Sequence, residues 1–397
     1  MTAPTTSAPA GEPRTPTPGA QRPAQQQPIR PQRPVQPTAP ERPAVKPAPT
    51  LADLVTEGDD RGEIPPAVIV VHGGRGVGKT SFGAAARGAV TLAIEDPELA
   101  SLPRTVKRIV VSSKEDVEAL AAVEDEDEDA RKAAQVKARA VWCRTMARLS
   151  MLRDQPHDFK VAVVDTVDAL EAGCHAYCCI RDKQDRIGAP TKLYGYGEGY
   201  KIAVDEWRNF EALAQALKRK RGMTVVLVSH STALKVKDAT MADHEKQGMK
   251  LHKLAAEFLC DQADAVFYCH KEHLIWTDGD GERARMKIQQ KPRTLCQTRL
   301  GDGWEAKNRL FLPDPLPVFT FAGYQEAARE GLKIRDRVFA HLDTLDPAER
   351  FAAELRLDAC GWAVGEAAAI VGDSNITAPI GATATDTENS STKEIST

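Results

Sequence analysis

The stretch GGRGVGKT, residues 73–80, decides the fold. It matches the pattern G-x-x-x-x-G-K-[ST], in which glycines let backbone N–H groups turn inward around phosphate oxygens. The apolar run Ala67–His72 precedes it and predicts a strand buried on both faces, and a helix is expected over Lys79–Arg87. This motif requires a strand before it and a helix after it. We therefore expect a nucleoside triphosphate site at residues 73–80.

Individual residues of this loop have expected roles. Lys79 would reach the β- and γ-phosphates, and Thr80 would bind Mg²⁺. The other expected nucleotide-binding residues of the loop and of the following helix are Gly73, Gly74, Arg75, Gly76, Val77, Gly78 and Ser81. The apolar strand VAVVD, residues 161–165, ends in a carboxylate, which makes Asp165 the second expected Mg²⁺ ligand. ATP and Mg²⁺ are the cofactors that these residues predict.

Two further polar residues end predicted strands. Glu95 follows the strand Val90–Ile94 and is the candidate general base that polarises water, with Asp96 as its competitor. His230 follows the strand Thr224–Ser229, where a polar side chain can contact the γ-phosphate. The alternative for His230 is a histidine satisfied at the edge of the core.

Composition excludes several classes of protein. A net charge of −3 over 397 residues provides no global basic field for nucleic acid, so such binding would need local patches. The longest apolar runs fall far short of the roughly 20 residues that a membrane helix needs, and no secretory signal is expected. Eight cysteines in 397 residues are too sparse for a disulfide scaffold, which favours a cytoplasmic protein.

The chain divides into four expected parts. Residues 1–50 hold 14 of the 26 prolines and no aromatic residue, which predicts a disordered, mildly basic arm. Strands and helices alternate over residues 51–322, which predicts an α/β domain with a mostly parallel sheet flanked by helices. A small helical appendix is expected at residues 323–372 and a disordered tail at residues 373–397. The tails are candidate tethers for a single-strand-binding or replication protein.

Six further blocks of sequence make the similarity to known proteins more specific. They are VVDTVDAL (163–170), YGYGEGY (194–200), GMTVVLVSH (222–230), LHKLAA (251–256), ADAV (263–266) and AKNRL (306–310). Together with the phosphate loop, these blocks resemble the phage RecA-like nucleotide-binding proteins that act as single-strand annealing ATPases. The resemblance spans about residues 66–317. It implies a RecA-like P-loop NTPase fold and a homo-oligomer with ATP at its subunit interfaces.

The resemblance also implies roles for single residues. Glu95 matches the catalytic glutamate, and His230 stands where the family places a polar γ-phosphate sensor, although the usual glutamine is absent. Lys307 and Arg309 look like the basic pair that reaches the ATP of a neighbouring subunit. A DNA-binding loop is implied after His230, and its lysines are Lys235, Lys237, Lys246 and Lys250. The acidic segment Glu124–Asp129 and the long arm depart from the bacterial recombinase.

Aromatic residues add a second candidate DNA contact. Tyr194, Tyr196 and Tyr200 alternate with glycines in an expected loop and could stack on unpaired bases. The alternative is a surface loop whose tyrosines pack on the core. Cysteines and histidines crowd the segments Cys174–Cys179 and Cys269–His273, but their spacing does not suit zinc, so buried thiols are expected.

Three functions remain open from the sequence. The leading one is a Mg²⁺-dependent ATPase that binds single-stranded DNA in phage recombination or annealing. The second is a binding module that ATP switches without significant turnover. The third is an NTPase that acts on protein partners and has no role on DNA.

Overall fold

The computed structural model describes most of the chain from residue 64 onward. The described residues are 64–236, 243–272, 275–278, 285–288, 293–359, 367 and 369–370. The proline-rich arm, the tail at 373–397 and Lys237 lie outside them.

Eleven strands are assigned within the described residues. They are β1 (Val68–Gly73), β2 (Ala89–Ala93), β3 (Arg108–Val110), β4 (Val161–Asp165), β5 (Thr224–Val236), β6 (His244–Met249), β7 (Ala265–Lys271), β8 (Ile275–Asp278), β9 (Arg285–Ile288), β10 (Thr294–Gln297) and β11 (Lys307–Asn308).

Eight α-helices are assigned within the same residues. They are α1 (Lys79–Ala84), α2 (Lys114–Ala121), α3 (Glu128–Asp154), α4 (Val167–Arg181), α5 (Glu198–Arg221), α6 (Lys253–Gln262), α7 (Phe321–Leu342) and α8 (Pro347–Ala359). None of the described helices combines the length and the apolar character that a membrane span requires.

A mostly parallel sheet organises the molecule. Its strand order is β10-β7-β1-β5-β4-β2-β3, and the six strands from β7 to β3 run parallel to one another. Strands β6, β10 and β11 add antiparallel pairs, and β8 and β9 form a separate hairpin. The fold class predicted from the sequence is confirmed. Helices cover both faces of the sheet, and α7 and α8 follow it late in the chain.

Successive side chains along β1 point alternately into two hydrophobic cores. Val68 and Val70 face the core that α3 to α6 cover, where Trp142 and Trp207 meet edge to face at 5.3 Å. The intervening side chain Ile69 faces the second core, which α1 and the first half of α7 cover. The period of two along the strand therefore decides which helices cover each face.

Local signals place the helix ends where the sequence predicts them. Ser113 and Asp116 form a reciprocal capping box at the start of α2, with hydrogen bonds of 2.8 and 3.2 Å. Gly222 ends α5 in the left-handed conformation with φ of 62°. Asp127, within the acidic run, accepts the N–H of Ala130 at 2.8 Å and caps α3.

Two expected loops are regular structure instead. The segment after His230 is a β-hairpin, because β5 continues to Val236 and pairs with β6 from Ser231 to Met249. The tyrosine-rich loop ends early, because α5 begins at Glu198 and already contains Tyr200. The hydrophobic periodicity of the sequence indicates neither feature, because polar residues line the hairpin and glycines precede the helix.

A close helix contact yields a first prediction. A β-carbon on Gly173 of α4 would lie 2.8 Å from the carbonyl oxygen of Ala138 in α3. We expect Gly173→Ala to lower the free energy of unfolding by about 1–2 kcal/mol, because overpacking outweighs the better helix propensity of alanine. Urea denaturation measures this change in the free energy of unfolding. Gly303→Ala, which meets no atom within 4 Å, is the control, and equal midpoints for the two variants would contradict the packing argument.

Candidate nucleotide-binding site

The loop between β1 and α1 has a backbone that only glycine adopts readily. Gly76 and Gly78 have φ angles of 73° and 95°, in the left-handed region. A β-carbon on Gly73 would lie 2.1 Å from the carbonyl oxygen of Cys269 on the adjacent strand β7. These constraints explain three of the four glycines in the loop, Gly73, Gly76 and Gly78. Val77, in contrast, is buried in the core beneath the loop.

Lys79 points back into the loop. Its ammonium donates hydrogen bonds to the carbonyl oxygens of Gly73 and Gly74 at 2.9 and 2.8 Å. Burial lowers the pKa of Lys79, and the nearby carboxylates, among them Asp168 and Asp165, oppose that shift. The two acceptors are neutral, so a phosphate would bind the same ammonium more strongly.

The hydroxyl of Thr80 and the carboxylate of Asp165 lie together. They are hydrogen-bonded to each other, and Asp165 is buried at the end of β4. Burial raises the pKa of Asp165 to about 6 against the opposing effect of the Thr80 hydrogen bond, and the charge of Glu95 adds a smaller rise. A buried carboxylate beside a hydroxyl is a set of hard oxygen donors that suits Mg²⁺. Thr80 and Asp165 therefore fit the metal that the motif implies.

Glu95 and Asp96 have different surroundings. Glu95 follows β2, accepts a hydrogen bond from the hydroxyl of Thr166 at 3.1 Å, and keeps 39% of its side chain exposed. Asp96 instead accepts the backbone N–H groups of Glu98 and Ala100 at 3.1 and 2.9 Å. Because Asp96 closes a turn, Glu95 is the carboxylate better placed to meet a water molecule.

His230 is held by a carboxylate that sequence reasoning missed. Asp168 accepts the Nδ1–H of His230 at 2.9 Å and its backbone N–H at 3.0 Å. Burial alone would raise the pKa of Asp168, but these bonds outweigh it and hold the pKa below its ordinary value. The Nδ1 atom also lies 3.6 Å from Glu95. The signal was available in the sequence, as a second aspartate three residues after Asp165.

One group of side chains has metal-binding geometry within the described part of the chain. Ligand atoms of Glu95, Asp168 and His230 all lie within 4.8 Å of one another. The cysteines of α4 are not part of such a group. Cys174, Cys178 and Cys179 are buried free thiols, and burial raises the pKa of Cys179 to about 12. The interpretation of these cysteines as buried thiols agrees with their surroundings, while His273 lies outside the described residues.

The three tyrosines do not form one stacking surface. Tyr194 is fully buried and donates its hydroxyl to Asp182 at 2.9 Å, so no base can reach its ring. Tyr200 lies in α5 and stacks on His252 with ring centroids 3.8 Å apart. Tyr196 alone of the three is fully exposed. The expectation of three stacking tyrosines is therefore wrong for Tyr194, because the core takes up its ring.

The described lysines after His230 lie on the hairpin. Lys235 on β5 and Lys250 just after β6 are exposed. Lys246 on β6 is paired with Glu305 at 2.6 Å, with only 19% of its side chain exposed. The hairpin therefore presents two of its described lysines to solvent.

The two basic residues late in the chain differ in their surroundings. Lys307 on β11 donates hydrogen bonds to the carbonyl oxygens of Cys260 and Asp261, at the end of α6, at 2.9 and 2.6 Å. Burial lowers the pKa of Lys307. Arg309 is exposed. Lys307 thus serves a helix end within its own chain, and Arg309 is the residue of the pair that faces outward.

The chain is similar to a family of known proteins and to a set of solved structures. Among solved structures, 94 chains match, including the crystal structure of the RadB recombinase. That chain is 12% identical, with 53% of this chain and 77% of that chain covered and a TM-score of 0.26. No curated protein matches. The model of the AAA domain family matches residues 65–310, more than half of the 397 residues. With a phosphate loop, a Mg²⁺-compatible pair and a mostly parallel sheet in place, the chain belongs to this AAA domain family.

Proposed function

We propose that the protein is a Mg²⁺-dependent ATPase of the RecA type that acts on single-stranded DNA. The observation that supports ATPase activity is that five side chains lie together at one edge of the sheet. These side chains are Lys79, Glu95, Thr80, Asp165 and His230. Annealing or recombination in phage DNA metabolism is the setting that the sequence resemblance supports.

Each side chain has one task in the proposed hydrolysis. Lys79 leaves its two carbonyl partners and binds phosphate oxygens, while Thr80 and Asp165 hold Mg²⁺. The metal neutralises charge that develops on the phosphates. Glu95, which Thr166 orients, accepts a proton from the attacking water. The imidazole of His230 donates its Nδ1–H to Asp168 in this structure and exchanges that acceptor for an oxygen of the γ-phosphate.

Glu95→Gln provides the test of the base. We expect this variant to bind ATP and Mg²⁺ normally and to lose turnover by about 10²-fold or more, because the amide cannot accept the proton. Single-turnover hydrolysis and equilibrium nucleotide binding measure the two properties. Asp96→Asn is the matched control and should retain turnover. Persisting hydrolysis in Glu95→Gln with loss in Asp96→Asn would assign the base to the other carboxylate.

The hairpin of β5 and β6 supports the DNA part of the proposal. Lys235 and Lys250 are exposed on it, and mobile or exposed lysines bind phosphates without sequence preference. Tyr196 is exposed and is available for stacking on an unpaired base. The hairpin begins at His230, so a strand bound there would lie close to the nucleotide.

ATPase rate with and without single-stranded DNA across a salt series tests this function. We expect DNA to stimulate hydrolysis, and binding to weaken steeply as salt rises, because phosphate contacts release counterions. Lys235→Ala with Lys250→Ala should reduce the salt slope by about 2. Lys114→Ala, an exposed lysine on α2, is the control. DNA-bound protein with stoichiometric, unhydrolysed ATP would indicate a switched module, and DNA-independent hydrolysis without DNA binding would indicate a protein partner.

Arg309 is the proposed cation for a neighbouring active site. In some NTPases, an arginine from another subunit stabilises the charge of phosphoryl transfer. Lys307 would have to leave the carbonyl oxygens at the end of α6 before it could act in the same way. We therefore assign this role to Arg309.

Mixing variants tests the action between subunits. Arg309→Ala should bind ATP normally and hydrolyse it slowly, and Lys79→Ala should lack nucleotide binding. Mixed assemblies should regain activity at interfaces that combine an intact loop with an intact arginine. ATPase rate is measured against mixing ratio, with mixed assembly shown by a separate pull-down. No recovery at any ratio would exclude an arginine supplied by a neighbour.

A further inference from the structure

The hairpin of β5 and β6 leaves and re-enters the domain at adjacent points. It leaves the parallel sheet at His230, and the chain returns through Lys250 to His252, the N-cap of α6. The backbone N–H of Lys250 donates to the carbonyl oxygen of His230 at 2.8 Å and closes this base. We call His230, Lys250 and His252 the hairpin base.

Two carboxylates of α4 hold the two ends of the hairpin base. Asp168 accepts the backbone N–H of His230 at 3.0 Å. Glu171 accepts the backbone N–H of His252 with its two oxygens, at 2.9 and 3.0 Å. A spacing of three residues places both carboxylates on one face of the helix. This helix starts two residues after Asp165, the expected Mg²⁺ ligand.

Among the residues that the structure describes, no lysine or arginine pairs with the carboxylate of Glu171. Its side chain is 14% exposed, and the nearest imidazole is that of His175 at 3.9 Å. Burial lowers the pKa of His175 to about 4, so this ring is neutral near pH 7. Tyr200 stacks on His252 and seals the contact from another side. The burial of a carboxylate without a cationic partner costs free energy. Glu171 uses its buried carboxylate to fix the position of one backbone N–H, that of His252.

We propose that Glu171 is a positioning residue that couples nucleotide occupancy to the orientation of the hairpin, an inference that rests on the proposed function. Asp168 and Glu171 hold the two ends of the hairpin base, and the backbone of Gln247 on β6 is held separately by hydrogen bonds with Gly303 and Glu305, both at 2.8 Å. When His230 turns from Asp168 toward a γ-phosphate, the first end changes and the Glu171 end stays. The hairpin then moves in a defined direction instead of loosening.

Hydrogen exchange of the full-length protein tests this coupling without reference to DNA. Exchange is followed in peptides that cover residues 231–236 and 243–249, with and without Mg²⁺ and a non-hydrolysable ATP analogue. In the wild type, we expect the analogue to change exchange at least about 5-fold. In Glu171→Ala, we expect that response to fall below 2-fold, while affinity for the analogue stays within 3-fold. Glu257→Ala, an exposed glutamate on α6, is the matched control and should respond as the wild type does.

The pH dependence separates a positioning role from a structural one. Burial raises the pKa of Glu171 to about 7, so its carboxylate is present above that pH and is lost as pH falls through it. Of the other groups that face it, Asp168 has a pKa held below its ordinary value, burial lowers the pKa of His175 to about 4 and also lowers that of His252, and burial raises the pKa of Tyr200. The wild-type response, corrected for intrinsic exchange, should therefore fall between pH 8 and pH 6. Glu171→Gln folds around the same shape and should respond weakly at both.

The outcomes distinguish this inference from the proposed function. A full response in Glu171→Ala, or in Glu171→Gln at both pH values, would overturn the role of Glu171. A wild-type hairpin that ignores a bound analogue would overturn it as well. If the wild type responds, the variants do not, and single-stranded DNA fails to bind, the coupling stands and the DNA function fails. If Glu171→Ala does not fold, Glu171→Gln decides the matter through its pH profile.

Discussion

The parallel register of β4 with its two neighbours is the constraint on which the site depends. Asp165 lies opposite Ala93 of β2 and Val228 of β5, and β2 and β4 end at the edge where β5 leaves the parallel sheet. Glu95 and His230 each follow their register partner by two residues, so the three polar side chains arrive together. A shift of one residue would turn every side chain of the strand to the opposite face and disperse the site. The buried apolar strands thus position the three polar side chains at one edge of the sheet.

Charge then makes the edge selective for a nucleotide together with its metal. Lys79 is the cation that these carboxylates surround, and Asp165, Asp168 and Glu95 all raise its pKa against the effect of burial. Phosphates alone would add negative charge to a negative site. A Mg²⁺ ion held by Thr80 and Asp165 would offset that charge. Burial is the largest cause of the raised pKa of Asp165, because it disfavours the charged carboxylate.

The sequence predicts what is local and misses what depends on distant partners. The phosphate loop, the buried strands and the capping box all follow from residues within a few positions of one another. The hairpin after His230 does not, because its polar strands pair across a gap of several residues and bury little. The sequence leaves open whether Tyr194 stacks on a base or packs on the core, and its ring is buried with the hydroxyl bonded to Asp182. Asp168 lies in a recognised motif and Glu171 directly follows it, but their partners His230 and His252 lie 62 and 81 residues away.

Helix α4 gives the proposed coupling a short physical route. Coupling between sites needs an element with discrete arrangements that both sites bias. Here the helix begins next to the expected metal ligand, and within its first two turns it binds both ends of the hairpin base. The helix can therefore remain rigid while the imidazole of His230 exchanges one acceptor, Asp168, for another, the γ-phosphate. In the proposed coupling, this exchange of one hydrogen-bond partner acts on one end of the hairpin base while Glu171 holds the other end through the backbone N–H of His252.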